Sequence, residues 1–246
     1  MKEQVKRLVL SVTPKFLSTW VIHKWKSQQG LNHGYYDVSF AQQAEDLHIA
    51  RFFNNKSTGF YVDVGAYHPF QLSNTYRFYC AGWRGINIEP NPDQFDMFRQ
   101  LRPRDVNLNI AVGEKEQTLM YHKFDQPALN SFSTEHVNDW ASRPGFNLLE
   151  TVAIKTSSLE EILDKHLPVN TEIDFMTVDV EGWDMVVLAS NNWKKYRPSL
   201  LLVEFGLDVD LPLAELPLCK YLAQHDYGIW TISGGTIFFR DKKKDK

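Results

Sequence analysis

The chain has 246 residues, of which 43% are hydrophobic, and its formal net charge is −3. That length and composition suffice for one α/β domain with a full core. No apolar run approaches the roughly 18 residues that a membrane-spanning helix requires, and no N-terminal segment combines a charged start, an apolar centre and a small-residue cleavage site. We therefore expect a cytoplasmic protein with one main domain.

Basic residues are concentrated at the two ends of the chain. Residues 1–30 contain six Lys or Arg against one Glu, and residues 240–246 contain five against two Asp. The two ends therefore sum to +8, and the residues between them carry −11. Because a nucleic-acid substrate calls for a basic binding surface, this acidic central region argues against nucleic acid as a partner.

We divide the chain into an N-terminal basic helical segment (1–35), a central domain (36–240) and a basic tail (241–246). Apolar residues at helical spacing, with Pro14 near the start of a second helix, predict two helices in the first segment. Two interpretations stay open for them. They pack on their own domain or on a second subunit of a homodimer, or their basic residues and tryptophans make a peripheral contact with an anionic membrane.

The first strand of the central domain leads into a loop that indicates a ligand. Phe60–Val64 is predicted as a buried parallel strand that contains Asp63, and it breaks into Gly65 and Ala66, where backbone can approach a ligand closely. The next strand is followed by the carboxylate of Glu89. A carboxylate about 20 residues or somewhat more after a glycine loop commonly binds a ribose diol in a doubly wound sheet. The pattern suggests a nucleoside-containing cofactor.

The number of glycines in this loop bears on the choice of cofactor. A dinucleotide pyrophosphate requires G-x-G-x-x-G, whereas Gly65 is followed by Ala66, Tyr67, His68 and Pro69. NAD is therefore disfavoured. A single turn of small residues suits S-adenosylmethionine, which carries one carboxylate and a sulfonium.

The remaining elements alternate between helix and strand. In chain order, the pattern predicts a helix at 93–101, a third strand at 106–112, an added strand at 117–124, a helix with a capping box at 157–163, core strands at 172–180 and 199–205, and a hairpin formed by 227–232 and 236–240. Five parallel strands with a C-terminal antiparallel hairpin predict a doubly wound, Rossmann-like α/β sheet.

Several segments together resemble a known family. They are Tyr61-Val62-Asp63-Val64-Gly65-Ala66-Tyr67-His68-Pro69, Ser73-Asn74-Thr75, Gly82-Trp83-Arg84-Gly85-Ile86-Asn87-Ile88-Glu89-Pro90-Asn91-Pro92 and Ile173-Asp174-Phe175-Met176-Thr177-Val178-Asp179-Val180-Glu181-Gly182. Over about residues 39–205 the chain resembles FkbM-type S-adenosylmethionine-dependent methyltransferases. Residues 42–46 match the family's Gln-x-Gly-Glu-Asp segment, with Ala44 where glycine is usual. The resemblance implies that the predicted doubly wound sheet with its C-terminal hairpin is the class I methyltransferase fold. It also implies methyl transfer to a hydroxyl oxygen, often of a sugar or glycan-like acceptor.

Three residues are candidates for the chemistry. Asp179 and Glu181 end the fourth core strand two residues apart, so in an extended strand they point the same way. Glu181 is our preferred base or acceptor-orienting group, and Asp179 is expected near the methionine end of the cofactor. His68, on the first cofactor loop, is the second candidate base. These three residues could also ligate Mg²⁺, but spacing alone does not establish a metal and we assign none.

Further residues are candidates for cofactor binding or for packing. Ser73, Asn74 and Thr75 either hydrogen-bond the cofactor or cap the next helix, and Asn109 to Ala111 are predicted to flank the adenine. The segment 124–147 is long and mixed in character, which predicts an acceptor-side insertion or lid. Its aromatic residues and Arg143 either stack on a sugar or pack the loop down.

Two classes of function remain from the sequence. The first is an O-methyltransferase that acts on a small-molecule or glycan acceptor, in a surface glycan or a secondary metabolite. The second is a cofactor-binding scaffold of the same fold that has lost its chemistry. The presence of Asp63, Glu89, Asp179 and Glu181 favours the enzyme.

Overall fold

The computed structural model describes residues 37–205 and 212–244. The chain divides into two compact units, residues 1–39 and 40–246. The predicted helical segment at 1–35 lies outside the described residues. Within the described part, no helix combines the length and hydropathy needed to cross a bilayer.

A seven-stranded sheet forms the centre of the second unit. Its strands are β1 (Phe60–Val64), β2 (Arg84–Ile88), β3 (Val106–Leu108), β7 (Phe175–Val178), β8 (Leu200–Glu204), β9 (Tyr227–Ser233) and β10 (Thr236–Asp241). They lie in the order β3-β2-β1-β7-β8-β10-β9. The first five are parallel, and β10 pairs antiparallel with both β8 and β9. The predicted doubly wound sheet with its C-terminal hairpin is confirmed.

A second sheet of three strands lies apart from this central one. It contains β4 (Ala111–Val112), β5 (Gln117–Phe124) and β6 (Leu148–Ser157), in the order β4-β6-β5. The prediction of one continuous third strand at 106–112 is wrong, because β3 pairs with β2 whereas β4 pairs with β6. Strand β6 was not predicted, and it forms a long antiparallel pair with β5.

Helices connect the strands, as expected for this architecture. They are α1 (Glu45–Phe52), α2 (Tyr76–Cys80), α3 (Pro92–Leu101), α4 (Thr134–Ala141), α5 (Leu159–His166), α6 (Asp184–Ala189) and α7 (Pro217–Gln224), with 3₁₀ turns at Pro127–Leu129 and Leu213–Glu215. The predicted capping box is confirmed: the Ser158 side chain accepts from Glu161 N–H, and the Glu161 carboxylate accepts from Ser158 N–H.

The central strands are buried on both faces, as expected for a parallel sheet that helices cover on both sides. Alternate residues of β1 therefore enter two different clusters. Tyr61 packs with Phe175 and Phe238 on one face, whereas Val62 and Val64 join the larger cluster on the other face. This burial fixes the register of the strands and brings their carboxyl ends to one edge of the sheet.

The segment before β1 is held against the C-terminal hairpin. Gly235 N–H donates to Oε1 of Gln43 at 3.0 Å, and the Ser233 hydroxyl donates to the Gln43 carbonyl at 2.6 Å. Ala44 takes a left-handed conformation with φ 65°. This conformation accounts for the usual glycine here, since a Cβ makes left-handed backbone unfavourable.

The end of the chain is tied to the domain further than the predicted boundary at 241. Asp241 is the last residue of β10, is buried, and accepts from Arg197 at 2.5 and 3.0 Å. Beyond it, Lys243 pairs with Asp226 at 2.8 Å.

Candidate active site

A cleft opens at the carboxyl ends of the parallel strands, where doubly wound sheets bind ligands. Its lining comes from the loops after β1, β2, β3 and β7, together with residues of the segment between β5 and β6. Of the predicted site residues, Asp63, Gly65, Ala66, Ser73, Asn74, Glu89, Ala111, Asp179 and Glu181 line this cleft.

The Gly65 loop is folded tightly against the neighbouring strands. Gly65 N–H and Ala66 N–H both donate to the Ile88 carbonyl of β2, at 3.1 and 3.2 Å. Gly65 has φ +80°, and a Cβ built on it would overlap the carbonyl oxygen of Asp179. Glycine is therefore required here both by conformation and by the close approach of the loop after β7.

Glu89 lies at the end of β2 and closes the same loop from the other side. It is 5% exposed, and its two carboxylate oxygens accept from Tyr67 N–H at 2.8 Å and Asn91 N–H at 2.7 Å. Burial raises the pKa of Glu89 to about 8, although both backbone hydrogen bonds favour the charged form. Each oxygen keeps a second lone pair with which it can accept from a ligand hydroxyl.

A buried arginine behind the loop was missed by the sequence analysis. Arg102 is fully buried and donates to the Pro69 carbonyl, the Ser73 hydroxyl and the Thr75 hydroxyl at 2.8, 3.0 and 2.8 Å. Its carboxylate partner is Asp105, at 3.7 Å. No sequence pattern distinguished Arg102 from the neighbouring Arg104.

Ser73, Asn74 and Thr75 therefore hold the loop together. The Thr75 hydroxyl donates to Asp63 at 2.6 Å, and it does not line the cleft. Ser73 and Asn74 do line it, although Asn74 Nδ2 also donates to the Thr177 hydroxyl at 3.0 Å. Burial raises the pKa of Asp63 to about 6 against the opposing effects of Thr75 and Arg102.

The end of β3 contributes backbone and apolar contacts. Asn109 Nδ2 donates to the carbonyls of Glu89 and Pro90, both at 2.9 Å, so this side chain joins two loops and does not line the cleft. Ile110 and Ala111 do line it.

Three carboxylates converge at the ends of β7 and β8. Oxygens of Asp179, Glu181 and Glu204 lie within 4.8 Å of one another. Burial and the nearby carboxylates raise the pKa of Asp179 well above its usual range, that of Glu181 to about 9, and that of Glu204 to about 7. The neighbouring Glu204 adds to the effect of burial in raising the pKa of Asp179, as expected for two carboxyls that lie close together. The cluster is suited to a cation, and Glu204 was not predicted.

Glu181 reaches the cleft through a turn. The expectation of an extended strand through Asp179 and Glu181 is wrong, because β7 ends at Val178 and Glu181 takes φ +52°. Asp184 holds this turn by accepting from Val180 N–H and Gly182 N–H at 3.3 and 3.2 Å. The Ser131 hydroxyl donates to the Glu181 carbonyl at 2.6 Å.

His136, on α4, contacts Glu181 from the inserted segment. Its Nε2 lies 3.6 Å from Oε2 of Glu181 and has no hydrogen-bond partner among the described residues. Burial lowers the pKa of His136, so the ring is neutral at pH 7. The neutral imidazole and the carboxyl can hold one proton between them.

His68 is arranged differently from the sequence expectation. Its Nδ1 accepts from Phe70 N–H and Gln71 N–H at 3.3 and 3.0 Å, and its ring contacts Phe70 edge-on at 4.4 Å. In a neutral imidazole the accepting nitrogen is the basic one, so this nitrogen is already committed to the turn. His68 does not line the cleft.

The segment 124–147 contributes to the cleft through its first half. Phe132 lines the cleft together with Tyr121 and Trp183, and its ring centre lies 4.7 Å from that of Tyr121. The second half packs on itself. Trp140 contacts Phe146 at 4.7 Å, and the Arg143 guanidinium lies 4.4 Å from the Trp140 ring centre.

The model of the family described as "Methyltransferase FkbM domain" matches residues 63–221. The chain belongs to this family. The match includes the Gly65 loop, Glu89 and the carboxylates at the ends of β7 and β8. The protein is therefore a methyltransferase by family, and its sheet has the order of the class I fold.

Solved structures similar to this chain include two precorrin-6Y C5,15-methyltransferases. The C-terminal domain of the Rhodobacter capsulatus enzyme has 12% identity and a TM-score of 0.40, with 81% of this chain and 88% of that chain covered. The enzyme of Geobacter metallireducens GS-15 has 10% identity and a TM-score of 0.41, with 85% and 94% covered. A search of curated proteins found no significant match.

Proposed function

We propose that the protein is an S-adenosylmethionine-dependent O-methyltransferase whose acceptor is a hydroxyl of a sugar or of a glycan-like molecule. The observation that carries this proposal is the convergence of Asp179, Glu181 and Glu204 at the edge of a cleft that Glu89 and the Gly65 loop also line. The part of the cleft near Glu89 and the Gly65 loop suits a nucleoside. The part near Glu181 combines carboxylates with aromatic side chains.

The residues of the cleft fit the methyl donor. Gly65 and Ala66 line the cleft at the end of β1, and Glu89 offers a buried carboxylate to the ribose diol. The carboxylates after β7 and β8 complement the positive charges of the sulfonium and the amino group. When bound, S-adenosylmethionine supplies an electrophilic methyl group, and its transfer to an alcohol leaves S-adenosylhomocysteine and one proton.

Glu181 takes that proton from the acceptor hydroxyl. With its pKa raised to about 9, the carboxyl is protonated at neutral pH in the ligand-free protein. A cation in the cleft favours the ionised form, because opposite charges a few ångströms apart lower a carboxyl pKa. A cationic ligand thus shifts the pKa of Glu181 in the direction that a base requires. Nε2 of His136, 3.6 Å away, is a second place for the proton.

The walls near Glu181 support a carbohydrate acceptor. The aromatic side chains of Tyr121, Phe132 and Trp183 line the cleft, and such rings offer an apolar surface to the apolar face of a sugar ring. Trp183 Nε1 is buried without a hydrogen-bond partner among the described residues, so it is available to a hydroxyl oxygen. Glu181 offers the complementary acceptor.

The test is transfer of labelled methyl groups. The purified protein is incubated with methyl-labelled S-adenosylmethionine and with glycan and metabolite fractions, and S-adenosylhomocysteine release is measured beside incorporation. We expect stoichiometric label and release with a hydroxylated acceptor. Calorimetric binding of S-adenosylhomocysteine without transfer to any fraction would favour the scaffold alternative, and absence of binding would contradict the proposal.

A further inference from the structure

The strand order arranges the cleft into three regions with different chemistry. Carboxylates lie at the ends of β7 and β8, Glu89 lies at the end of β2, and Ile110 and Ala111 follow β3. Since β3 is the outermost parallel strand, an elongated ligand with its cationic end near β7 and a diol at Glu89 extends its third part towards β3. For a nucleoside donor, this third part is the base.

Gln94 lies in this third region. It is in the first turn of α3, which follows β2, and it lines the cleft together with Pro90, Ile110 and Ala111. Its Oε1 is buried and has no hydrogen-bond partner among the described residues. Buried carbonyl oxygens are normally paired, and an unpaired one costs free energy that a ligand donor can recover. Gln94 was not among the residues singled out from the sequence.

The chemistry of this region matches adenine. Apolar side chains accommodate a flat heteroaromatic ring, and the single amide offers one acceptor and one donor group. Glutamine pairs in this way with adenine in nucleic-acid complexes, where its oxygen accepts from the 6-amino group and its nitrogen donates to N7. A base that lacks the amino group leaves Oε1 unpaired.

We propose that Gln94 recognises the 6-amino group of adenine and sets the base specificity of the methyl donor. The inference rests on the proposed function, because it assumes a nucleoside donor in this cleft. It goes beyond that function by assigning the purine contact to one side chain of α3.

The experiment is a calorimetric double-mutant cycle without catalysis. The ligands are S-adenosylhomocysteine and its 6-deaminated analogue, in which purine replaces adenine. The proteins are the wild type, Gln94→Leu and, as the matched control, Gln100→Leu, which alters an exposed glutamine of the same helix. We expect the wild type and the control to prefer the adenine ligand by roughly 3- to 10-fold, and Gln94→Leu to bind both ligands equally.

The outcomes distinguish a failure of the role of Gln94 from a failure of the proposed donor. If the wild type binds both ligands equally, or if folded Gln94→Leu keeps the preference, the role of Gln94 is wrong while the donor assignment stands. If the wild type binds neither ligand, the proposed function itself fails. The comparison of the two ligands on the wild type requires no variant, so equal binding still overturns the role of Gln94 even if Gln94→Leu does not fold.

Discussion

The Cα of Gly65 faces the carbonyl group of Asp179 so closely that a Cβ would overlap the oxygen and lie 2.9 Å from the carbonyl carbon. This contact joins the loop after β1 to the loop after β7. The loop after β1 belongs to the predicted donor site, and the loop after β7 carries the predicted base, Glu181. Their close approach therefore fixes the position of the base relative to the donor site.

We predict that Gly65→Ala abolishes donor binding and lowers stability, because the loop must move away from Asp179. The matched control is Gly82→Ala. Gly82 has φ +99°, but a Cβ there meets nothing within 4 Å, so the control carries only the conformational cost of about 1–2 kcal/mol. Calorimetry with S-adenosylhomocysteine measures donor-site binding, and urea unfolding separately measures the loss of stability. Equal behaviour of the two variants would show that the contact with Asp179 is unimportant.

Glu89→Gln is expected to weaken donor binding by about 1.5–3 kcal/mol or more. An amide NH2 replaces one of the two oxygens that accept from Tyr67 N–H and Asn91 N–H, so the variant loses an acceptor for the ribose and also one acceptor that holds the loop. Asp93→Asn, which alters an exposed carboxylate of α3, is the control. Titration calorimetry measures both. Wild-type affinity in a folded Glu89→Gln protein would remove Glu89 from the site.

The carboxylate cluster predicts an unusual dependence of stability on pH. Burial raises the pKa of Glu181 to about 9, so between its unfolded value and this pH the folded state binds a proton that the unfolded state has released. The free energy of unfolding of the ligand-free protein therefore falls as pH rises from about 5 to 8. Asp63, Glu89 and Glu204 act in the same direction.

Glu181→Gln should make this slope shallower and stabilise the protein at pH 8, because it removes the group that resists ionisation. Glu116→Gln alters an exposed carboxylate and should leave the slope unchanged. Urea unfolding at several pH values measures the effect. A free energy of unfolding that rises steadily over this range in the wild type would contradict the prediction.

Arg102→Met is expected to lower the free energy of unfolding by about 3–5 kcal/mol, because it leaves the buried carboxylate of Asp105 without its cation. It also removes the donors that hold Pro69, Ser73 and Thr75. Arg99→Met is the control, because Arg99 is an exposed arginine of α3, the helix that ends just before Arg102. A loss below about 1 kcal/mol would mean that the buried network contributes little.

The fold could be predicted where burial leaves a clear pattern. The strands β1, β7 and β8 are short apolar runs, so their existence and their common edge follow from the sequence. The third strand was predicted too long because apolar residues recur through 106–112. The chain in fact changes sheets near Asn109, whose side-chain amide donates to the carbonyls of Glu89 and Pro90 in the loop after β2. Strand β6 is largely exposed and pairs with β5, so it lacks the signal of a buried run.

Site residues could be predicted from the sequence where a position directly after a strand is enough to place them at the cleft. Four of the predicted residues follow directly after strands: Gly65, Glu89, Asp179 and Glu181. Glu204 is likewise a carboxylate at the end of a strand, β8, but the sequence analysis did not include it among the candidates. The position of a residue after a strand does not predict the direction in which its side chain points. Thr75 faces Asp63, and His68 accepts from its own turn, although both belong to the loops that the sequence indicated.

The central claim is that Glu181 accepts the proton of the acceptor hydroxyl, and single-turnover kinetics of Glu181→Gln with an acceptor identified by label transfer test it most directly. We predict that the rate of methyl transfer falls by about 10² to 10⁴ while calorimetry shows nearly unchanged affinity for S-adenosylhomocysteine. His68→Asn should lose far less, because its Nδ1 serves the turn. A loss of less than about tenfold for Glu181→Gln, with a large loss for His68→Asn, would contradict the account and assign the base to His68.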